Sequence, residues 1–387
     1  MYQERKQLGI YVHIPFCVKK CNYCDFTSAA YSQDIRQRYI DSLILELEGI
    51  DDKYSLSFDE YSVSTIYFGG GTPSVPDASL IIGVLDRIME RFEVDSTEHC
   101  EITIEVNPGT VDEDKLNAYR RAGFNRISIG LQSANEDELR LLGRIHSYNE
   151  FLRTYEMARR AGFANINVDV MTALPGQTLD KLKYTLCEVI RLNPEHISAY
   201  SLIIEEGTPF YDIYGHMEEG PVAEELEREM YHFVTKALSE HGYYRYEISN
   251  YSKPGYESRH NSSYWTGIDY LGLGLGASSL LDNVRYQNTS DMNEYLAASV
   301  AKCSIADEIR LTEHDQMEEY MFLALRMDRG ASIEGFRQRF GISLRDKYGS
   351  VIDRLTSEGM LELSDDTIWL SDKGVDYGNY VFSSFLL

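Results

Sequence analysis

The sequence predicts an α/β protein: a partial barrel of six parallel β/α units, followed by a smaller α+β unit with a winged-helix-like outline. Three observations predict it. Short β-branched or aromatic runs alternate with amphipathic helical stretches up to about residue 205, the rhythm of parallel strands joined by right-handed helical crossovers. The residues with chemistry to offer lie just after the strand candidates. A barrel brings several such strand ends to one mouth, whereas an open doubly wound sheet concentrates its ligand at one switch point. From about 305 to 387 the pattern changes to helix, helix, helix and a hairpin around Asp365–Asp366.

In chain order the strand candidates are Ile10–Ile14, Thr65–Phe68, Glu101–Val106, Arg126–Leu131, Asn165–Met171 and His196–Leu202. Each is rich in β-branched or aromatic residues, which fit a pleated, buried surface. The amphipathic segments between them are Ile35–Ile50, Leu80–Phe92, Asp112–Ala122, Glu136–Leu142, Glu150–Ala161 and Leu179–Leu192. Past residue 205 come a Glu-rich helix, Val222–Glu240, a tyrosine-rich strand, Tyr243–Ser249, and the segment RHNSSYWTGIDYLGLGLGAS. Gly272, Gly274 and Gly276 match a dinucleotide fingerprint only loosely, because the third spacing is wrong. Close backbone packing is the better account of them. The expected organisation is residues 1–205 as the barrel, 206–300 as a segment that completes or links it, and 301–387 as the C-terminal unit.

With 387 residues the chain buries a sizeable core without difficulty. Its 37 Lys+Arg against 62 Asp+Glu give a net charge of −25, which disfavours nucleic acid as a partner, because that affinity rests on clustered cations that displace counterions. The winged-helix-like unit is itself acidic, so a lid or partner surface suits it better than DNA. No window approaches the ~18 consecutive apolar residues of a membrane span. The N-terminus lacks the apolar stretch and small-residue site of a secretory signal, and the cytoplasm is the expected location. In a reducing compartment spaced cysteines bind metal or do chemistry more often than they form disulfides. Cys100, Cys187 and Cys303 are isolated and are expected to be buried free thiols.

Cys17, Cys21 and Cys24 are different, since Cys-x3-Cys-x2-Cys supplies three thiolates from one loop. A [4Fe–4S] cluster normally takes four Cys ligands, so three leave one iron open to chelate the amino and carboxylate groups that S-adenosylmethionine (SAM) offers. The competing reading is a Cys₃His zinc site completed by His13. One β/α unit later, Gly69-Gly70-Gly71-Thr72-Pro73 follows a strand. Alone it is also a plain strand-to-helix turn. Beside the cysteine loop it suits a backbone that must approach an amino-acid head group closely. Glu105, Gln132, Arg144 and Asp169 are the next polar residues at or after strand ends; they are suited to ribose hydroxyls, an ammonium or a carboxylate.

These residues lie in IYVHIPFCVKKCNYCDF, FGGGTP, EVNPG, SIGLQS and VDVMTALPGQT. The set closely resembles the radical SAM group that contains oxygen-independent coproporphyrinogen III oxidase and the HemW-type heme chaperones, over about residues 8–380. The resemblance implies a partial (β/α)6 barrel, a [4Fe–4S] cluster on Cys17, Cys21 and Cys24, and SAM on the open iron. It places Tyr11, Tyr23, Gly70, Gly71, Thr72, Glu105, Gln132, Arg144 and Asp169 around SAM. Two departures separate this chain from the oxidase pattern. Asp25-Phe26 stands where the oxidase has a fourth cysteine, and the first cysteine, at position 17, leaves no room for the oxidase's N-terminal extension. His260-Asn261-Ser262-Ser263-Tyr264-Trp265 matches the HNxxYW motif of the chaperone branch. Its implied role is to bind heme and deliver it to apoproteins at the membrane.

On this reading His260 ligates heme iron through a neutral imidazole, and Tyr264 and Trp265 cover a porphyrin face. The other reading makes them packing residues at a domain junction. Heme carriage is favoured over oxidase turnover, with coproporphyrinogen decarboxylation as the alternative function. The expected partners are heme and heme-receiving apoproteins, with room for peripheral membrane contact and a homodimer.

Overall fold

The computed structural model describes residues 5–95, 100–217, 220–297 and 305–386. Six strands run parallel and adjacent in chain order: β1 (Lys6–Ile14), β2 (Tyr61–Gly70), β3 (Glu101–Val106), β4 (Arg126–Gln132), β5 (Asn165–Thr172) and β6 (His196–Ser201). All six overlap the strands expected. The first two start four residues earlier, because Lys6 to Leu8 pair with Tyr61 to Val63 across a bulge at Leu8/Gly9 that the polar Lys6 and Gln7 hide from a hydrophobic pattern. The helices between them also match, Leu179–Leu192 with the same ends and the others with one or both ends shifted by one or two residues. The helix Tyr148–Arg160 begins two residues before the expected Glu150 because Ser147 and Glu150 form a reciprocal capping box.

The sheet continues on both sides. Beyond β6 come the antiparallel β8 (Asn250–Ser252) and β7 (Tyr244–Glu247); the expected strand Tyr243–Ser249 is β7, and β8, just past its end, was not expected. On the other side β9 (Asp269–Leu273) lies parallel to β1, followed by the antiparallel β10 (Ser278–Leu281), β11 (Val284–Asn288) and β12 (Ile305–Arg310). The glycines of the last motif are packing residues: a Cβ on Gly272 would stand 2.1 Å from the Ser278 oxygen, and one on Gly274 2.4 Å from the Tyr39 hydroxyl. The RHNSSYW segment forms the helix Arg259–Trp265, just before β9.

Near the C-terminus, the helices Glu313–Ala324, Ile333–Phe340 and Leu344–Ser357 precede a hairpin of β14 (Leu361–Leu363) and β15 (Thr367–Leu370); β15 also pairs with the short β13 (Ala331–Ser332). This is the expected helix, helix, helix, hairpin order. Two short helices, Asp372–Asp376 and Gly378–Ser383, follow it unannounced by the sequence pattern. The unit has a hydrophobic core of its own around Met321, Leu344, Tyr348, Ile352, Ile368 and Phe385.

One expectation about the isolated cysteines is corrected. Cys100 is buried, but Cys187 is exposed. It sits on the helix Leu179–Leu192, whose buried positions, Leu182, Thr185, Leu186 and Val189, define a face that turns Cys187 outward. Cys303 lies outside the described residues. Among the described residues no helix is long and apolar enough to cross a membrane.

Candidate functional site

Side chains alternate faces along a strand, and the inward positions here are polar. Glu105 on β3, Arg126, Ser128, Gly130 and Gln132 on β4, Asn167 and Asp169 on β5, and Ser198 and Tyr200 on β6 line one cavity of about 540 Å³. It opens where the strands end. Cys17, Cys21 and Cys24 face the same cavity from the loop after β1.

That loop is pinned by backbone bonds. Cys17 N–H donates to the Ala29 carbonyl at 2.9 Å, Asn22 N–H to Leu142 at 3.0 Å, and Phe210 N–H to Asn22 at 2.9 Å. Cys17 is buried, and Cys21 and Cys24 are half-buried. Arg144 brings a cationic donor to the Cys21 sulfur, Nη1 to Sγ 3.6 Å. His13 does not join the thiols. Its Nδ1 is 3.0 Å from the Tyr11 hydroxyl and its Nε2 2.9 Å from the Thr27 carbonyl oxygen, so both ring nitrogens are engaged and the zinc reading lacks its fourth ligand. Among the described residues no three His, Cys, Asp or Glu side chains converge on one metal ion. A cubane makes no such demand, because its ligands bind separate irons.

The glycine turn sits against this loop. Gly70 has φ 109°, in the left-handed region that favours glycine, and a Cβ there would stand 2.5 Å from the His13 ring. Gly71 N–H donates to the Ile14 carbonyl at 2.9 Å, which ties the turn to the end of β1. Thr72 Oγ1 accepts from Asn107 Nδ2 at 2.7 Å and lies 3.8 Å from Cys17 Sγ.

Two carboxylates face the cavity from strands on either side of β4. Glu105 accepts from the Tyr67 hydroxyl at 2.7 Å and from Gly70 N–H at 3.3 Å. Burial pushes its carboxyl up to about 7, and the nearby Asp169 charge adds to the effect against those two bonds. Asp169 accepts from Asn167 Nδ2 at 2.7 Å and Ser128 Oγ at 3.2 Å; burial raises it also. Gln132 ends β4 with φ 70°, an uncommon conformation for a non-glycine residue, and its Oε1 accepts from the Tyr200 hydroxyl at 2.9 Å. Arg144 donates to the Gly130 carbonyl at 2.8 Å and to Asn107.

The cavity therefore gathers Cys17, Cys21, Cys24, Tyr23, Gly70, Gly71, Thr72, Glu105, Gln132, Arg144 and Asp169. It does not gather Tyr11 or His260. Tyr11 lies behind the wall, its ring 6.3 Å from that of Tyr67. His260 is 1% exposed, with Nδ1 2.9 Å from Thr65 Oγ1 and Nε2 2.8 Å from the Tyr264 hydroxyl. Burial holds its imidazole down at about 3. In this conformation it packs between β2 and its own helix, and ligating a heme iron would require the side-chain bond at the ligating ring nitrogen to break. Asn261 of the same motif does line the cavity, and Trp265 lies under the Arg326 guanidinium at 4.5 Å. Sequence reasoning missed Tyr67, Asn107, Arg126, Ser128, Asn167 and Tyr200. A signal was present in the period-two placement of Arg126, Ser128, Gly130 and Gln132 along a strand that otherwise reads Ile, Ile, Leu.

Comparison with known proteins bears on this site. A model of the radical SAM superfamily matches residues 11–186, and a model of the HemN C-terminal domain matches 311–377. The chain is 36% identical to the heme chaperone HemW of Lactococcus lactis subsp. lactis, over 99% of this chain and 98% of that protein. This chain belongs to the HemW family. HemW of Bacillus subtilis is 35% identical over 97% and 98% of the two chains, and HemW of Escherichia coli 40% identical over 70% and 69%. The chain shares its fold with the Escherichia coli radical SAM enzyme coproporphyrinogen III oxidase (HemN). That solved structure superposes with a TM-score of 0.85 over 99% of this chain and 91% of its own, at 23% identity.

Proposed function

We propose that this chain binds heme and hands it to apoproteins, and that it carries a SAM-binding [4Fe–4S] cluster at the barrel mouth. The observation that carries the reading is end-to-end likeness to proteins named heme chaperones in a chain whose three loop cysteines share one polar cavity. Cys17, Cys21 and Cys24 would hold the cluster, and they suit it: three thiols line the cavity, and among the described residues no fourth cysteine does. When bound, such a cluster supplies an open iron that chelates the amino and carboxylate groups of SAM and passes it an electron. Gly70 and Gly71 leave the backbone open to close approach. Glu105 and Asp169 offer carboxylate oxygens to an ammonium or ribose hydroxyls, and Arg144 offers a guanidinium. Gln132, Thr72 and Tyr23 complete the wall, and Tyr11 supports it from behind.

For heme, Tyr264 and Trp265 offer aromatic rings, one face of Trp265 being covered by Arg326, and His260 can serve as a ligand only after its bond to Thr65 or to Tyr264, whichever holds the ligating nitrogen, opens. The reading carries with it the division into 1–205, 206–300 and 301–387, a cytoplasmic location, heme-receiving apoproteins as partners, peripheral membrane contact and a homodimer. The test is anaerobic reconstitution with iron and sulfide, then heme titration and a coproporphyrinogen III turnover assay on the same sample. Specific heme binding without steady protoporphyrinogen formation is expected. Many turnovers with no heme binding would establish the oxidase reading instead.

A further inference from the structure

Arg126 has no role in what precedes, and its surroundings are unusual. It begins β4, is 1% exposed, and lines the cavity. Among the described residues no carboxylate lies within ion-pair range of its guanidinium, and its Nε, shielded from water, has no hydrogen-bond partner. A buried guanidinium is normally paired, because removal from water is costly for an ion that nothing compensates. Here compensation comes at a distance. β4 lies between β3 and β5. Ser128, two residues along, is level with Glu105, and Gly130, four along, is level with Asp169.

We propose that Arg126 is a positioning residue for the ligand that Glu105 and Asp169 hold: its guanidinium, on the strand between theirs, favours negative charge on both carboxylates without bonding to either. A direct ion pair would occupy carboxylate oxygens that a ligand needs, whereas a cation acting through space leaves those oxygens free. The direct partners of the two carboxylates, Tyr67, Gly70, Ser128, Asn167 and Ser198, are all uncharged donors. The titratable groups around the two carboxylates are Tyr11 on β1, Tyr23 in the cysteine loop, Tyr67 on β2 and Tyr200 on β6, together with the cation Arg144, which is engaged by Gly130, Asn107 and Cys21; around Arg126 lie His196 on β6, Tyr246 on β7 and His260 on its helix, with Glu101 beside them at the start of β3. None of them replaces it. Burial and Arg126 both disfavour the charged form of His196 and His260, and Glu101 is engaged by the backbone N–H groups of Arg259 and His260. The idea rests on the reading that Glu105 and Asp169 bind SAM.

The test uses the full chain, reconstituted anaerobically, and measures SAM affinity by calorimetry from about pH 6 to about pH 9. Wild-type affinity should rise through a midpoint near neutrality as Glu105 ionises. In Arg126→Gln the midpoint should move up by about one pH unit, which weakens SAM roughly fivefold at pH 7 and leaves about the same affinity at pH 9. Arg126→Lys should restore the wild-type midpoint. Arg126→Met serves as a second neutral variant if the glutamine is not tolerated. Weakening by the same factor at every pH, with an unmoved midpoint, would overturn the proposal and make Arg126 a structural residue. Infrared titration of the Glu105 carboxylate, assigned with Glu105→Gln, reads the same midpoint without ligand. If wild type does not bind SAM, the SAM reading fails, and the infrared midpoints of wild type and Arg126→Gln still decide whether Arg126 sets the charge.

Discussion

Two buried charged networks in this molecule differ in one respect. On the flank of the barrel, Glu46 is fully buried and all its hydrogen bonds are met within the protein. One carboxylate oxygen accepts from Lys53 at 2.6 Å and Asn288 at 2.8 Å, the other from Gly274 N–H at 2.9 Å and the Tyr295 hydroxyl at 2.7 Å. Lys53 loses by burial, yet the Glu46 charge holds it above its ordinary range. In the barrel interior, Glu105 and Asp169 have fewer partners, all uncharged, and the nearby cation Arg126 touches neither. The first network is closed and acts as scaffold. The second keeps hydrogen-bonding capacity in reserve toward a cavity, as a ligand site must.

The largest effect expected separates the two regions completely. Replacing Cys17, Cys21 or Cys24 by Ser should abolish the cluster, read as loss of bound iron and sulfide and of the visible absorption, while the closed network keeps the chain folded by circular dichroism. Tight zinc binding with no iron–sulfur spectrum after careful reconstitution would contradict this. Next, Lys53→Met leaves Glu46 as a buried unpaired charge and should cost about 3–5 kcal/mol in urea unfolding. A loss as small as a surface substitution would erase the distinction between the networks.

The same operation in the open network should do the opposite. Glu105→Gln should weaken SAM binding roughly 10- to 150-fold, from a lost charged hydrogen bond of ~1.5–3 kcal/mol, without lowering stability. Its pH dependence has a definite sign. Because the folded Glu105 titrates near 7 and its ordinary value is 4.5, the native state holds a proton that the unfolded chain has lost. This contribution to stability therefore falls as pH rises from about 4.5 to about 7 and is flat beyond. Wild type minus Glu105→Gln should show that slope in unfolding titrations, and equal slopes would place the carboxyl in solvent.

The last effect, confined to acid pH, concerns His260, at about 3 against an ordinary 6.5. Its folded pKa is depressed, so the unfolded chain takes up the proton first and stability declines as pH falls from about 6.5 toward about 3. His260→Gln should flatten part of that decline and leave the rest to His196, His146 and His13, which burial also lowers. An unchanged acid slope would mean that His260 is open to water, and would return it to the heme-ligand reading without the bond-breaking condition.

Much of this architecture was legible in the chain because it is local. The six strands, their crossover helices and the helix, helix, helix, hairpin ending follow from hydrophobic period and turn residues. The cysteine loop and the glycine turn declare themselves by spacing. What was missed is non-local. Nothing near Arg126 in sequence says that the strands on either side of its own each bring a carboxylate to the same cavity, and nothing near Cys187 says which face of its helix is outside until the buried positions are known. Tyr67 reads as an ordinary strand aromatic until its hydroxyl is found on Glu105.

By itself the sequence determined the order of the β/α units, the three-thiol loop with no fourth cysteine beside it, and an acidic surface, since each depends on residues adjacent in the chain. Tertiary structure alone decided three other matters. It set β9 beside β1, turned His260 between Thr65 and Tyr264, and left the Arg126 Nε buried with no hydrogen-bond partner among the described residues. Strand register and packing fix how deep a side chain lies and which atoms remain to meet it. Those are properties of neighbours far apart in the chain, and a one-dimensional pattern does not carry them.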